Sequence, residues 1–274
     1  MANITAAEVK KLRDATGAGM MAAKRALEEA EADFERAVEI LRIKGEAKAK
    51  ERGASRHAGN GLVAAADGAM IQLGCETDFV AKGELLQQLA ADIVAQVAAT
   101  GVSDPQAVAD LRLADGRTVT ESLASASAAT GEKVELARVV RFDGQVTSYL
   151  HRRASDLPPQ VGVLVEFVGE DVDAARAAAM QIAAMRPQYV RREDVPSGVV
   201  EGERRIAEAT AREEGRPEQA LPKIIDGRVN SFFKDVVLLE QPSVQDAKRT
   251  VGDMLAQAGV SVTRFARFEI GAPQ

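Results

Sequence analysis

Twice along this chain, two short apolar segments that read as strands are followed by one that reads as a helix, and this doubled order constrains the fold more than any other feature. In the first half Gly61–Ala65 and Ala69–Cys75 precede the stretch Gly83–Ala99, in which Leu85, Leu86, Leu89, Ile93, Val94 and Val97 recur at helical spacing. In the second half Gly144–Leu150 and Val161–Val168 precede the alanine-rich Val172–Met185. A third strand is predicted for each half: Val134–Val140 for the first and Thr263–Ile270 for the second. The last of these alternates strictly between apolar and polar residues, as a half-buried strand requires. The predicted fold class is therefore α+β, with two small antiparallel sheets, each backed by helices.

A helical module is predicted ahead of the sheets, over residues 1–43. Thr5 and Glu8 have the spacing of a capping box, and Ile4 and Val9 that of a hydrophobic staple, so a helix starts there. It carries Val9 and Leu12 on one side and ends at Thr16-Gly17. A second helix, Met20–Ala30, turns Ala23, Leu27 and Ala30 inward; Asp33 caps a third, with Phe34, Ala37, Val38 and Leu41 on its apolar stripe. Three short helices at this spacing form a bundle. Between the first two lies Thr16-Gly17-Ala18-Gly19-Met20-Met21, whose soft methionines either fill the small core or face a partner. Residues 44–60 read as a solvated linker, since Lys44–Arg52 mixes charges without an apolar stripe.

The first core subdomain is expected over 61–142 and the second over 143–274, with an inserted antiparallel helical hairpin at about 199–237. Its arms are Glu201–Glu214, carrying Ile206 and Ala209, and Pro222–Val237, carrying Ile225, Val229, Phe232 and Val236; Gly215-Arg216-Pro217 turns between them. Pro222 is expected to limit the reach of the second arm. A further helix is predicted over Ser243–Ala258.

The formal net charge of -6 argues against a protein that grips nucleic acid with its whole surface, although the first fifty or so residues are slightly basic. One cysteine allows neither an internal disulfide nor a multi-thiolate zinc site, and His57 and His151 lie far apart, so no metal site or cofactor is expected. No run approaches the length needed to span a bilayer, and Met-Ala-Asn-Ile-Thr is not the start of a signal peptide; a cytoplasmic protein is expected. Cys75 as a catalytic thiol would need a histidine brought close by the fold.

Where the second strand gives way to a helix stands Cys75-Glu76-Thr77-Asp78-Phe79-Val80. Two readings of it are open from spacing alone. Thr77 or Asp78 caps the helix and Phe79 folds back on the core, or Phe79 points outward from a surface turn to a partner.

Taken in order, Thr5 to Met21, the phrase Cys75 to Lys82, Gly162-Val163-Leu164-Val165, Arg192-Glu193-Asp194-Val195 and Arg267-Phe268-Glu269 closely resemble bacterial translation elongation factor Ts over almost the entire chain. The resemblance implies guanine-nucleotide exchange on elongation factor Tu, in its GDP-bound and nucleotide-free forms, with no covalent chemistry and no direct contact with nucleic acid. It implies that the helical module is a UBA-like bundle that docks on the partner's nucleotide domain, near Leu12, Met20, Met21 and Lys24. By the same resemblance, Thr77, Asp78, Phe79 and Val80 intrude beside the partner's magnesium site, and His151 touches the partner's third domain. A homodimer is compatible with it. Some members carry another helix after the Arg-Phe-Glu strand; this sequence stops at Gln274, so no contact through such a helix is expected.

Overall fold

The computed structural model describes residues 4–16, 20–41 and 58–272. The loop at 17–19 and most of the expected linker, with Lys44–Arg52 and His57, lie outside the described residues. Backbone contacts divide the chain into two units: Met1–Arg141 with Arg152–Val161 and Phe268–Gln274, and Phe142–His151 with Gly162–Arg267. The returning segments belong to the first unit because Val63 N donates to Pro159 O at 2.8 Å and Ile270 N to Gln160 O at 2.9 Å. The linear boundary expected near residue 142 is therefore interleaved.

In the helical module α1 (Ala6–Thr16), α2 (Met20–Glu29) and α3 (34–41) form as expected. The capping box is made: Glu8 accepts from Thr5 N at 2.8 Å, and Thr5 Oγ1 accepts from Glu8 N at 3.3 Å. Val9, Leu12, Ala23, Ala26, Leu27, Ala30 and Ala37 form its buried core, with Ile4 and Phe34 packed alongside.

The first sheet has the order β1-β2-β3, from β1 (Asn60–Ala66), β2 (Ala69–Cys75) and β3 (Glu135–Arg141), all antiparallel. Central β2 is buried along its whole length. A short helix α4 (Asp78–Lys82) leads into α5 (Glu84–Thr100), whose Leu86, Leu89, Ala90, Ile93, Val94 and Val97 pack with Ile71 and Leu73. Leu85, expected on this apolar face, is 50 % exposed. Two further helices, α6 (Pro105–Ala109) and α7 (Val119–Thr130), occupy the span before β3.

The second unit repeats the plan. β4 (Val146–His151), β5 (Val161–Val168) and β6 (Ser261–Glu269) form an antiparallel sheet of order β4-β5-β6, and α8 (Val172–Met185) packs Ala175, Ala178, Ala179 and Ile182 with Val163, Val165 and Phe167. Its hairpin comprises α9 (Ser197–Glu213) and α10 (Leu221–Val236). The seam joins Ala207 and Ala211 to Ile225, Val229 and Phe233, so Ile206 and Ala209 are corrected to outward positions. Pro222 stands in the first turn of α10, where no intrahelical N–H is needed, and the arm begins at Leu221 and extends no further toward the turn, as expected.

The expected helix over Ser243–Ala258 is cut to α11 (Val251–Gln257). Ser243 Oγ accepts from Gln245 N at 3.1 Å and Asp246 Oδ1 from Lys248 N at 3.1 Å, so side chains take backbone donors that a helix would use. The helix starts only where Thr250 and Asp253 complete a capping box. Among the described residues no helix is long and apolar enough to cross a membrane.

Two close approaches give tests of the fold. Gly61 has φ +142 and a Cβ there would sit 2.0 Å from Leu73 O, whereas Gly116 at φ +84 has nothing within 4 Å. Gly61→Ala should cost about 3 kcal/mol or more through strain and overlap, against about 1–2 kcal/mol for Gly116→Ala, read from denaturant midpoints. In the second unit Arg264 donates to both oxygens of Glu166 at 2.9 Å. That pairing, opposed by burial and helped by the Gly144 amide and the Thr263 hydroxyl, lowers the Glu166 carboxyl from 4.5 to about 2. Its stabilisation is present above pH 4.5 and lost as pH falls toward 2, so Glu166→Gln should flatten the decline in unfolding free energy across that window.

Candidate functional site

Strand β2 ends at Cys75, and the next three residues decide where Phe79 goes. Thr77 has extended dihedrals, φ -124 and ψ 157, and its Oγ1 accepts from Val80 N at 3.3 Å, which makes it the N-cap of α4. In this one-turn helix Ala81 is fully buried and Val80 packs on the core of the first sheet. Anchoring those two sends Phe79 the other way, and it is 83 % exposed. The two readings of the motif thus separate by residue: Thr77 is a cap, and Phe79 is not folded back.

The cap is itself held. Glu132, just past the C-terminus of α7, accepts from Glu76 N at 3.1 Å, from Thr77 N at 3.0 Å and from the Thr77 hydroxyl at 2.6 Å. Glu76 returns the contact, its Oε1 accepting from Lys133 N at 2.8 Å, while Asn60 Nδ2 donates to Glu76 O at 2.8 Å. On the exposed side Lys82 Nζ lies 3.1 Å from Asp78 and 2.7 Å from Asp156. Those partners, Asp156 first, raise the Lys82 pKa. Glu132, Lys133 and Asp156 carry no local sequence signal; Glu132 and Thr77 stand 55 residues apart and only the folded sheet brings them together.

Burial, reinforced by the negative charge of Glu132, pushes the Cys75 thiol up to about 12, and its Sγ donates to Thr77 O at 3.1 Å. A thiol so protonated and enclosed is packing and no nucleophile. Among the described residues no group of three or more His, Cys, Asp or Glu could hold a metal ion.

Of the expected contact residues in the helical module, Met20 and Met21 are 49 % and 63 % exposed, and Lys24 is half-exposed with its ammonium 3.8 Å from Glu28. Leu12 is corrected: it is fully buried, because its side of α1 is the side that closes the bundle core. Its contribution to any surface is to hold α1 against α2. In the second unit His151 is exposed at the end of β4, its Nδ1 3.2 Å from the Tyr149 hydroxyl and its ring stacked at 6.2 Å from the Tyr149 ring. Arg176 lies over the Tyr149 ring, 5.9 Å from its centroid.

Comparison with known proteins adds to this geometry. The family described as Elongation factor TS matches residues 76–272, beginning at Glu76 of the clamp. The chain is similar to elongation factor Ts of Nocardia farcinica, 60 % identical over 274 residues that cover 99 % of both chains. It is likewise similar to those of Mycobacterium ulcerans and Mycobacterium tuberculosis, 58 % and 59 % identical over 271 residues, with 99 % of each chain covered.

The enclosed thiol gives a direct check on this arrangement. Cys75 in the native protein at pH 8 should react with a thiol reagent slower than in the unfolded chain by about three orders of magnitude or more, since almost none of it is thiolate. Rapid native labelling would reopen the case for thiol chemistry.

Proposed function

This chain belongs to the elongation factor Ts family, and from that premise we propose how its exposed residues serve the family's function. It is a guanine-nucleotide exchange factor for elongation factor Tu. The observation that carries the mechanism is an aromatic ring 83 % exposed on a one-turn helix whose other apolar residues are anchored in the core. Phe79 is the wedge that turns binding into nucleotide release.

A GTPase holds GDP through its phosphates and through a magnesium ion that demands a near-ideal octahedron of oxygens. Moving the partner elements that place those oxygens weakens the whole set, and no chelation by the factor is required. Burying a Phe side chain is worth about 1.5–3 kcal/mol, which offsets part of the cost of parting two packed elements. Asp78, one turn before Lys82 and paired with it, disturbs polar contacts of the partner instead of taking its metal. Thr77 caps, and Val80 anchors, the helix that presents both.

Met20, Met21 and Lys24 offer a soft, partly basic surface for the partner's nucleotide domain, and His151 with Tyr149 offers a second contact from the other unit. Both GDP-bound and nucleotide-free partner are engaged, because linkage is reciprocal: a factor that weakens GDP is itself weakened by GDP to the same extent. A factor of translation elongation is expected to act in the cytoplasm.

Phe79→Ala should still bind elongation factor Tu while losing about 10- to 100-fold in accelerated GDP release, the rate equivalent of the lost burial. Asp78→Ala should lose less. Stopped-flow release of fluorescent GDP decides: an undiminished rate for Phe79→Ala removes the ring from the mechanism.

A further inference from the structure

We propose that Glu132 is a positioning residue for exchange: its carboxylate fixes the first turn of α4 and with it the direction in which Phe79 is offered to the partner. The inference rests on the reading of Phe79 above. A helix of five residues such as α4 has little stability of its own, since nucleating one turn costs more than its few hydrogen bonds return. Its orientation must come from outside, and Glu132 supplies it at the first turn while Val80 and Ala81 anchor the helix on the core.

The hydrogen-bond pattern shows how. One oxygen of Glu132 accepts from two successive amides, Glu76 at 3.1 Å and Thr77 at 3.0 Å, and so fixes the plane of the peptide on which the helix starts. The other takes the Thr77 hydroxyl proton at 2.6 Å. With that proton committed, a lone pair of the same hydroxyl is left for Val80 N, so the capping bond at 3.3 Å inherits its direction from Glu132. The backbone that follows Glu132 is in turn held as it enters β3: Lys133 N is tied to Glu76 Oε1 at 2.8 Å, and Glu135 pairs with Gly74 across the sheet. Phe79 is thereby referred to the sheet through Glu132 on one side and through Val80 and Ala81 on the other.

Thr77 is exposed, so water can replace the carboxylate at these donors if Glu132 is removed. Water satisfies a donor without fixing where it points. Loss of Glu132 should therefore cost aim more than it costs folding, which separates a positioning role from a structural one.

The test is fluorescent GDP release from elongation factor Tu, with the factor varied to saturation. Glu132→Ala should lower the saturating rate about tenfold, as a misdirected group does, with the half-saturating concentration changed less than about twofold. Glu132→Gln keeps an oxygen for the two amides but puts an NH2 where the Thr77 hydroxyl donates, so its rate should fall between those of the parent and Glu132→Ala. In a Phe79→Ala background, Glu132→Ala should cost nothing further, because the ring through which it acts is gone. If Glu132→Ala does not fold, Thr77→Val takes its place, with a loss expected only when Phe79 is present. An unchanged saturating rate in a folded Glu132→Ala factor, or the same loss with and without Phe79, overturns the proposal. A slow Phe79→Ala beside a normal Glu132→Ala sinks this inference alone, whereas a normal Phe79→Ala sinks the wedge and Glu132 with it.

Discussion

The exchange of carboxylate and amide contacts between Glu76 and the Glu132-Lys133 pair is the constraint on which the presentation of Phe79 depends. Where a strand stops and a helix begins, several backbone N–H groups have no regular partner. Most proteins leave such groups to water or to one capping side chain. Here the strand end is tied to the approach to the neighbouring strand β3, so a turn on the surface is held by a charge-assisted bond to the sheet. A turn held in this way keeps a large ring facing water beside a nearby core.

The second unit has the same strand-strand-helix order and places its charges differently. One of its ion pairs, Glu166 with Arg264, lies across neighbouring strands β5 and β6, and the Arg264 guanidinium also covers the Phe142 ring at 4.3 Å. Its helix α8 starts directly on Asp171, whose Oδ1 accepts from Ala174 N at 2.9 Å, with no one-turn helix between strand and cap. Duplication of plan has thus left one copy with an offered aromatic and the other with a stiffened sheet. Arg192, bidentate to Glu240 at 2.6 Å and 4.1 Å from the Phe233 ring, gives the root of the hairpin similar firmness.

What could be read from the sequence was what is local. The strand expected at 263–270 and the alanine-rich helix at 172–185 both form within a residue or two of their expected ends, although Phe268 and Glu269 are both buried, so alternation does not mark a single buried face there. Thr5 and Glu8 give their capping box in the same way. Faces were less legible than elements. Leu85 and Ile206 satisfy an apolar pattern yet point to water, because rotating a helix by one residue keeps its spacing and changes which side chains meet the neighbour. α7 buries Ser122 and Ser127 among its alanines, so it lacks the stripe that would announce it. Ser243 and Asp246 looked neutral in a helix and instead consumed its backbone donors. The site divides along the same line: Thr77 as a cap is local chemistry, while Glu132 reaches it only through strand pairing.

The proposed wedge, one phenylalanine, also has a fitting size. The free energy it contributes, about 1.5–3 kcal/mol, appears only when the partner's elements have parted to receive the ring, so it favours the open state over the closed one and adds little to first contact. An exchange factor must then be displaced by the incoming nucleotide. A contribution far larger would hold the open, empty partner as a stable complex, and by reciprocity only high nucleotide concentrations could recover it. A far smaller one would leave GDP in place. One ring held firmly outward, beside the Asp78-Lys82-Asp156 charges, lies between those limits.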